Sequence, residues 1–253
     1  ITGKQKIIMG LFSRKKSGQP ANFSLLKTDM HSHLIPGVDD GARDMETSLE
    51  LIRGMQKLGY SKIITTPHIL WDMYQNTSEI ILERLELLRA AVKEAGIDVE
   101  INAAAEYFLD DHVEELLKEK KPLLTIHKNW VLSEFSLAYP SHSLKSILFE
   151  MQMQGYQPVI AHPERYIYLK DAKDFYDELK DIGCLFQLNL PSIGGYYGKS
   201  VQELAQYLIK KEYYDLIGTD LHNERYLESL HNPALADPLK KLCDSGKIRN
   251  LEL

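Results

Sequence analysis

From Lys27 onward, short apolar runs alternate with longer stretches whose apolar positions recur three and four residues apart. That alternation predicts repeated βα units and a parallel sheet. One strand ends on His31 and His33; others are expected over 61–66, 98–104, 130–132, 157–161, 184–188 and 214–219. The first helix is expected over 44–58, with Asp44 as N-cap, Leu51, Met55 and Leu58 on one face, and Gly59 closing it. A second starts at Thr77 or Ser78, carries Ile81, Leu85, Leu88 and Val92 on one face, and stops at Gly96. Further helical patterns lie near 144–154, 171–182, 199–211 and 233–243. The Gly-rich stretch 191–199 lacks the strand–GxxxxGK–helix form of a nucleotide cradle and reads as a mobile rim loop. Seven strands in 253 residues point to one α/β domain built as a (β/α) barrel.

The strand ends carry the chemistry. Six of the seven expected strands finish at or just before a His, Asp or Glu. In a (β/α) barrel those ends converge on one face, where active sites sit. The residues gathered in this way are His31, His33, Asp40, His68, Glu106, Glu134, His162, Asp220 and His222. Alternation along a strand turns His31 and His33 to the same side, and Asp220-Leu221-His222 repeats the spacing. Nine such groups exceed the needs of one tetrahedral zinc. They suit two or three divalent ions of higher coordination, and mixed imidazole and carboxylate donors fit manganese, iron or zinc. Other uses stay open at three positions. Asp40 sits in an Asp39-Asp40-Gly41 turn, Glu106 could pair with an arginine, and Glu134 needs a strong partner if buried.

Composition narrows the options. A net charge of −6 argues against a nucleic-acid binder relying on phosphate contacts. Residues 1–27 hold six cations and no acid, so the remainder carries −12 (−6 minus +6). This segment reads as a basic, flexible tail ahead of a domain at 28–253, able to touch an anionic membrane surface. It lacks the apolar core and small-residue site of a secretory leader, and no run approaches the ~18 apolar residues of a membrane span. Cys184 and Cys243 lack metal spacing, and no Cys-x5-Arg arrangement of a thiol phosphatase is present. The pair fits a reducing compartment, so a cytoplasmic location is expected.

Five segments together resemble one known superfamily. Asp29-Met30-His31-Ser32-His33, Pro36-Gly37-Val38-Asp39-Asp40-Gly41, Thr66-Pro67-His68, Ala161-His162-Pro163-Glu164-Arg165-Tyr166 and Thr219-Asp220-Leu221-His222-Asn223 look like the polymerase-and-histidinol-phosphatase (PHP) superfamily. The branch they resemble is the bacterial protein-tyrosine phosphatases of capsule and exopolysaccharide synthesis. Glu134, where other branches often place a histidine, favours that branch. The resemblance implies a distorted seven-stranded (β/α) barrel and a metal centre usually described with manganese. It also implies hydrolysis of phosphotyrosine on a bacterial tyrosine autokinase of polysaccharide export, near the inner face of the membrane. Arg165 and Arg225, just after His162 and His222, are then placed to hold the phosphoryl group, which a guanidinium fork matches bidentately. Rival readings are a histidinol-phosphate phosphatase, a catalytically silent scaffold and a nuclease, the last disfavoured by the acidic balance.

Overall fold

A computed structural model describes residues 22–139 and 143–253. In chain order the strands are β1 (Thr28–Asp29), β2 (Lys62–Thr65), β3 (His68–Ile69), β4 (Glu100–Ala103), β5 (Glu106–Phe108), β6 (Trp130–Glu134), β7 (Gln157–Ile160), β8 (Leu185–Asn189) and β9 (Leu216–Gly218). The helices between them are α1 (Met45–Lys57), α2 (Ser78–Glu94), α3 (Asp111–Lys118), α4 (Leu144–Met153), α5 (Asp174–Asp181), α6 (Leu190–Ile193), α7 (Lys199–Lys210), α8 (Glu224–Leu230) and α9 (Ala236–Asp244). Every strand pair is parallel, in one sheet of order β1-β2-β4 and another of order β3-β5-β6-β7-β8-β9. The result is an α/β domain around a curled parallel sheet. Most of its strands are buried on both faces, as parallel sheets covered by helices are, and β4 is the one with an exposed residue, Glu100.

Two expected strands are each followed by a further short strand beyond the expected bounds. The 61–66 strand is β2, and Pro67, which has no N–H to continue the ladder, separates it from β3. The 98–104 strand is β4, and after Ala104-Ala105 the unexpected strand β5 starts on Glu106 itself. Hydrogen bonds nevertheless run across the breaks: Ala104 N donates to Thr65 O at 2.9 Å and Glu106 N to Pro67 O at 3.1 Å. A parallel bridge between Ser32 and Leu221 links the chain after β1 to the chain after β9.

Local chemistry explains the helix limits. Asp44 accepts from Thr47 N at 2.8 Å at the start of α1, and Gly59 takes φ +102 just past its end. Leu51, Ile52 and Met55 of α1 and Ile81, Leu85, Leu88 and Val92 of α2 face the core. Helices α3 and α8, short and poor in apolar repeats, were not expected. The loop expected over 191–199 begins with a helical turn, α6, whose four residues are all buried.

The expected basic tail also needs a correction at its inner edge. Phe23 and Leu26 are buried in the main core, Phe23 N donates to Leu58 O at 2.8 Å, and the Phe23 ring lies 5.6 Å from that of Tyr60. Residues 22–27 therefore belong to the packed body. The rest of the tail, residues 1–21, lies outside the described residues. Among the described residues no helix is long and apolar enough to cross a membrane.

Candidate metal centre

The nine residues named from the sequence come together in four overlapping groups whose ligand atoms lie within 4.8 Å of one another. These groups are His31, His33 and Asp220; His31, Glu106 and His162; His68, Glu106 and Glu134; and His33, Asp40, His68 and His222. Glu106 is the hub. Its Oε2 lies 3.2 Å from His31 Nε2, 3.4 Å from His33 Nε2 and 3.2 Å from His68 Nδ1, while its Oε1 lies 3.2 Å from His162 Nε2. Asp220 Oδ1 approaches His31 Nε2 at 3.4 Å and His33 Nε2 at 3.5 Å. Asp40 reaches both His68 Nε2 and His222 Nε2 at 3.6 Å.

Outward hydrogen bonds orient the rings. His31 Nδ1–H donates to Gln187 Oε1 at 2.9 Å, His33 Nδ1–H to Asp39 Oδ2 at 2.8 Å, and His222 Nδ1–H to the Asp220 carbonyl at 2.8 Å. Each bond fixes the tautomer whose Nε2 lone pair faces the cluster, as second-shell partners do at metal sites. Gln187 Oε1 also accepts from His162 N at 3.1 Å, and Asp39 Oδ2 from His68 N at 3.0 Å. His162 (φ +31) and Asp220 (φ +54) hold left-handed backbone, rare for residues with a Cβ and typical of sites where surrounding structure enforces strain.

These residues fit divalent ions on three independent grounds. Metal–ligand lengths of ~2.0–2.2 Å give ligand–ligand edges of about 3.0 Å in an octahedron and 3.4 Å in a tetrahedron, and the contacts at Glu106 and Asp220 span 3.2–3.5 Å. Both Glu106 carboxylate oxygens and His68 Nδ1, which face the cluster, are buried without a hydrogen-bond partner, which is costly unless something else satisfies them. Like charges are also crowded together. Burial alone would raise Glu106, but the imidazoles of His31 and His68 hold it well below the usual carboxylate range. Burial and the neighbouring Glu106 push Glu134 well above that range. Cations among the carboxylates would relieve that conflict.

The two arginines differ. Arg165 donates through Nη1 to Asp220 Oδ2 at 2.8 Å and lies 4.7 Å over the Tyr197 ring. Asp220 Oδ2 also accepts from Asn189 Nδ2 at 2.8 Å. Arg225 is exposed on the first turn of α8, and its side chain makes no ion pair among the described residues.

A family model for capsular polysaccharide synthesis proteins of the CpsB/CapC type matches residues 27–243. The chain belongs to the CpsB/CapC family. Among its relatives, the tyrosine-protein phosphatase CpsB of Streptococcus pneumoniae is 32% identical over 201 residues, covering 77% of this chain and 82% of that protein. The tyrosine-protein phosphatase YwqE of Bacillus subtilis is 27% identical over 195 residues, covering 77% of each. The chain also superposes with a TM-score of 0.75 and 25% identity on a crystal structure from the study of YwqE and CpsB, described as unique metal-dependent tyrosine phosphatases. That match covers 88% of this chain and 94% of the other.

Within this CpsB/CapC chain, sequence reasoning missed the supporting residues. Asp39 was set aside for its neighbour Asp40, although a second carboxylate in the same turn was a usable signal. Gln187, an amide inside the apolar run Leu185-Phe186-Gln187-Leu188, was another. Asn189 and Tyr197 gave none, because their contacts with Asp220 exist only in the fold. His112 stacks on Trp71, His127 packs against Trp130, and His231 lies apart from the cluster. His142 lies outside the described residues. Cys184 is buried, and burial pushes its thiol up to about 12, which leaves it inert as a nucleophile.

Proposed function

We propose that this chain hydrolyses phosphotyrosine on protein, using two or three divalent ions held by His31, His33, Asp40, His68, Glu106, Glu134, His162, Asp220 and His222. The observation that carries this reading is the convergence of nine imidazole and carboxylate groups, with orphaned buried donor atoms, in a chain whose relatives are tyrosine phosphatases. Manganese is the foremost expectation, with iron or zinc as alternatives. Such ions supply Lewis acidity and lower the pKa of bound water to roughly 7.

The residues of the chain do the rest. Gln187 and Asp39 hold the imidazoles of His31 and His33 in one tautomer. Arg165, braced by Asp220 and Tyr197, gives one N–H to the carboxylate and offers its remaining N–H donors to phosphoryl oxygens. Arg225 reaches in from the rim once substrate is present. A phenol leaving group, with pKa ~10, needs less protonation than an alkyl alcohol, so no dedicated acid is assigned.

Two further parts of the reading concern architecture and setting. We take the two sheets as one distorted seven-segment barrel of PHP type, with β2 running into β3, β4 into β5, and the Ser32–Leu221 bridge closing the ring. The phosphatase domain then begins near Phe23, after a basic N-terminal segment that favours an anionic membrane surface in the cytoplasm, close to a tyrosine autokinase of polysaccharide export. Deleting residues 1–21 should weaken binding to anionic vesicles; unchanged binding rejects the membrane role.

The test of function compares a phosphotyrosine peptide, a phosphoserine peptide and histidinol phosphate, with Mn²⁺ added back to stripped protein. Phosphate release from phosphotyrosine alone is expected. Preference for histidinol phosphate would move the reaction to a small-molecule phosphatase, and turnover of nothing would favour a silent scaffold.

A further inference from the structure

Three of the strands that carry candidate ligands run directly into the walls of one groove. β3 continues from His68 into Leu70 and Trp71, β5 from Glu106 into Phe108 and Leu109, and β6 from Glu134 into Ser136 and Leu137. The groove holds about 1250 Å³, more than the ~300–1,000 Å³ of a typical small-molecule site, and suits a length of polypeptide better than a lone phosphomonoester. Glu134 lines both the groove and the metal cluster, so the two share a wall. Its side chain is about nine-tenths buried and accepts no hydrogen bond among the described residues.

The lining is both apolar and acidic. Trp71, Met73, Leu137 and Tyr139 are large apolar groups left 37–70% exposed along it. Asp111, Glu115 and Glu119 follow at i, i+4 and i+8 on α3 and its cap, and Asp72, on the loop after β3, lines the same groove. The groove has one lysine, Lys121, and it is already paired with Glu119 at 2.8 Å. Asp72, Asp111 and Glu115 make no ion pair among the described residues. Exposed apolar surface continuous with a reactive centre marks a partner site, and the unmatched negative charge says which partner residues fit.

We propose that this groove binds the polypeptide flanking the phosphotyrosine, and that it selects lysine or arginine together with an apolar residue beside the phosphorylated tyrosine. The inference rests on the tyrosine-phosphatase reading above and adds substrate selection to it. Phosphate sits over the metal cluster while the flank crosses Trp71 and the acidic face of α3.

The experiment uses the metal-loaded full chain and two phosphotyrosine peptides of equal length, one with lysine flanks and one with glutamate flanks. A small aryl phosphate serves as a substrate with no flank. Wild type should favour the lysine peptide about tenfold in kcat/KM, and Asp111→Lys combined with Glu115→Lys should erase that preference. Turnover of the aryl phosphate should stay unchanged, because neither residue belongs to the metal cluster. Trp71 gives a readout free of catalysis, since the other tryptophan, Trp130, is buried. Its fluorescence should respond to the lysine peptide at lower concentration than to the glutamate peptide, in wild type alone.

Equal turnover of both peptides with aryl phosphate hydrolysis intact would overturn the groove and leave the phosphatase reading standing. If no phosphoester is hydrolysed, that reading fails, and the Trp71 titration still decides whether the groove takes basic polypeptide. If deleting residues 1–21 alone restores binding or rate to the extent expected of substrate competition, the occupant is this chain's own basic segment, and the proposal is wrong.

Discussion

Gly218 lies at the end of β9 packed against His31, and replacing it with alanine should disable the candidate metal cluster without replacing any of its residues. A Cβ at this position would sit 2.6 Å from His31 Cβ, 3.0 Å from Gln187 Nε2 and 3.2 Å from Met30 Sδ. Ordinary carbon contacts fall near 3.5–4.0 Å, so about 1 Å must be found. His31 cannot supply it alone, because its carbonyl accepts from Asp220 N at 2.7 Å and Leu221 O accepts from His33 N at 2.9 Å. Any retreat of β9 therefore carries Asp220 along, and any retreat of His31 opens the His31–Glu106 contact. Metal sites tolerate only about 0.2 Å in ligand distance, and a 1 Å misplacement of reactive groups costs on the order of 100-fold in rate. Overpacking should cost about 1–3 kcal/mol of stability, or roughly 2–12 °C in Tm for a chain of this size. Titration calorimetry of Mn²⁺ into stripped Gly218→Ala, with phosphotyrosine turnover and a thermal melt alongside, separates the two effects. Metal affinity and kcat within about threefold of wild type would refute the packing argument.

Other expected outcomes rest on different contacts. Gln187→Leu removes the acceptor that sets the His31 tautomer and should weaken metal binding about 10–100-fold, measured by competition with a coloured chelator. Arg165→Ala should lower kcat/KM about 100-fold and Arg225→Ala about tenfold or less, since only the first is held against Asp220; steady-state kinetics on one phosphotyrosine peptide compares them. Phe23→Ala should cost about 3–5 kcal/mol in urea unfolding while leaving metal affinity unchanged, because Phe23 is buried against Tyr60 away from the cluster.

Most of the candidate site was legible because most of its residues follow an apolar run with a His, Asp or Glu, although the structure starts β3 on His68 and β5 on Glu106 and holds Asp40 in a bend. Convergence then follows from the topology of a parallel sheet and needs no long-range contact to be known in advance. The residues that orient the ligands were not legible for the opposite reason. Gln187 meets His31 across 156 positions, and Asn189 meets Asp220 across 31. A polar residue in a strand gives no hint of such a partner. Pro67 was visible, but its effect on the ladder appears only when β2 and β3 are seen to join different sheets. Phe23 was missed because the six cations of residues 1–27 dominated the reading of a segment whose two apolar anchors, Phe23 and Leu26, pack inward. The exposed position of Arg225 depends on how α8 is rotated, which its place three residues after His222 could not specify.

The most direct test of the central claim follows metal occupancy and chemistry on the same sample. Protein stripped with a chelator is titrated with Mn²⁺, with bound metal and the rate of phosphotyrosine hydrolysis read at each step and His33→Ala run in parallel. The account predicts that both rise together to two or three ions per chain and that the variant loses both. Full hydrolysis by the stripped protein, or full metal binding and hydrolysis by His33→Ala, would contradict it.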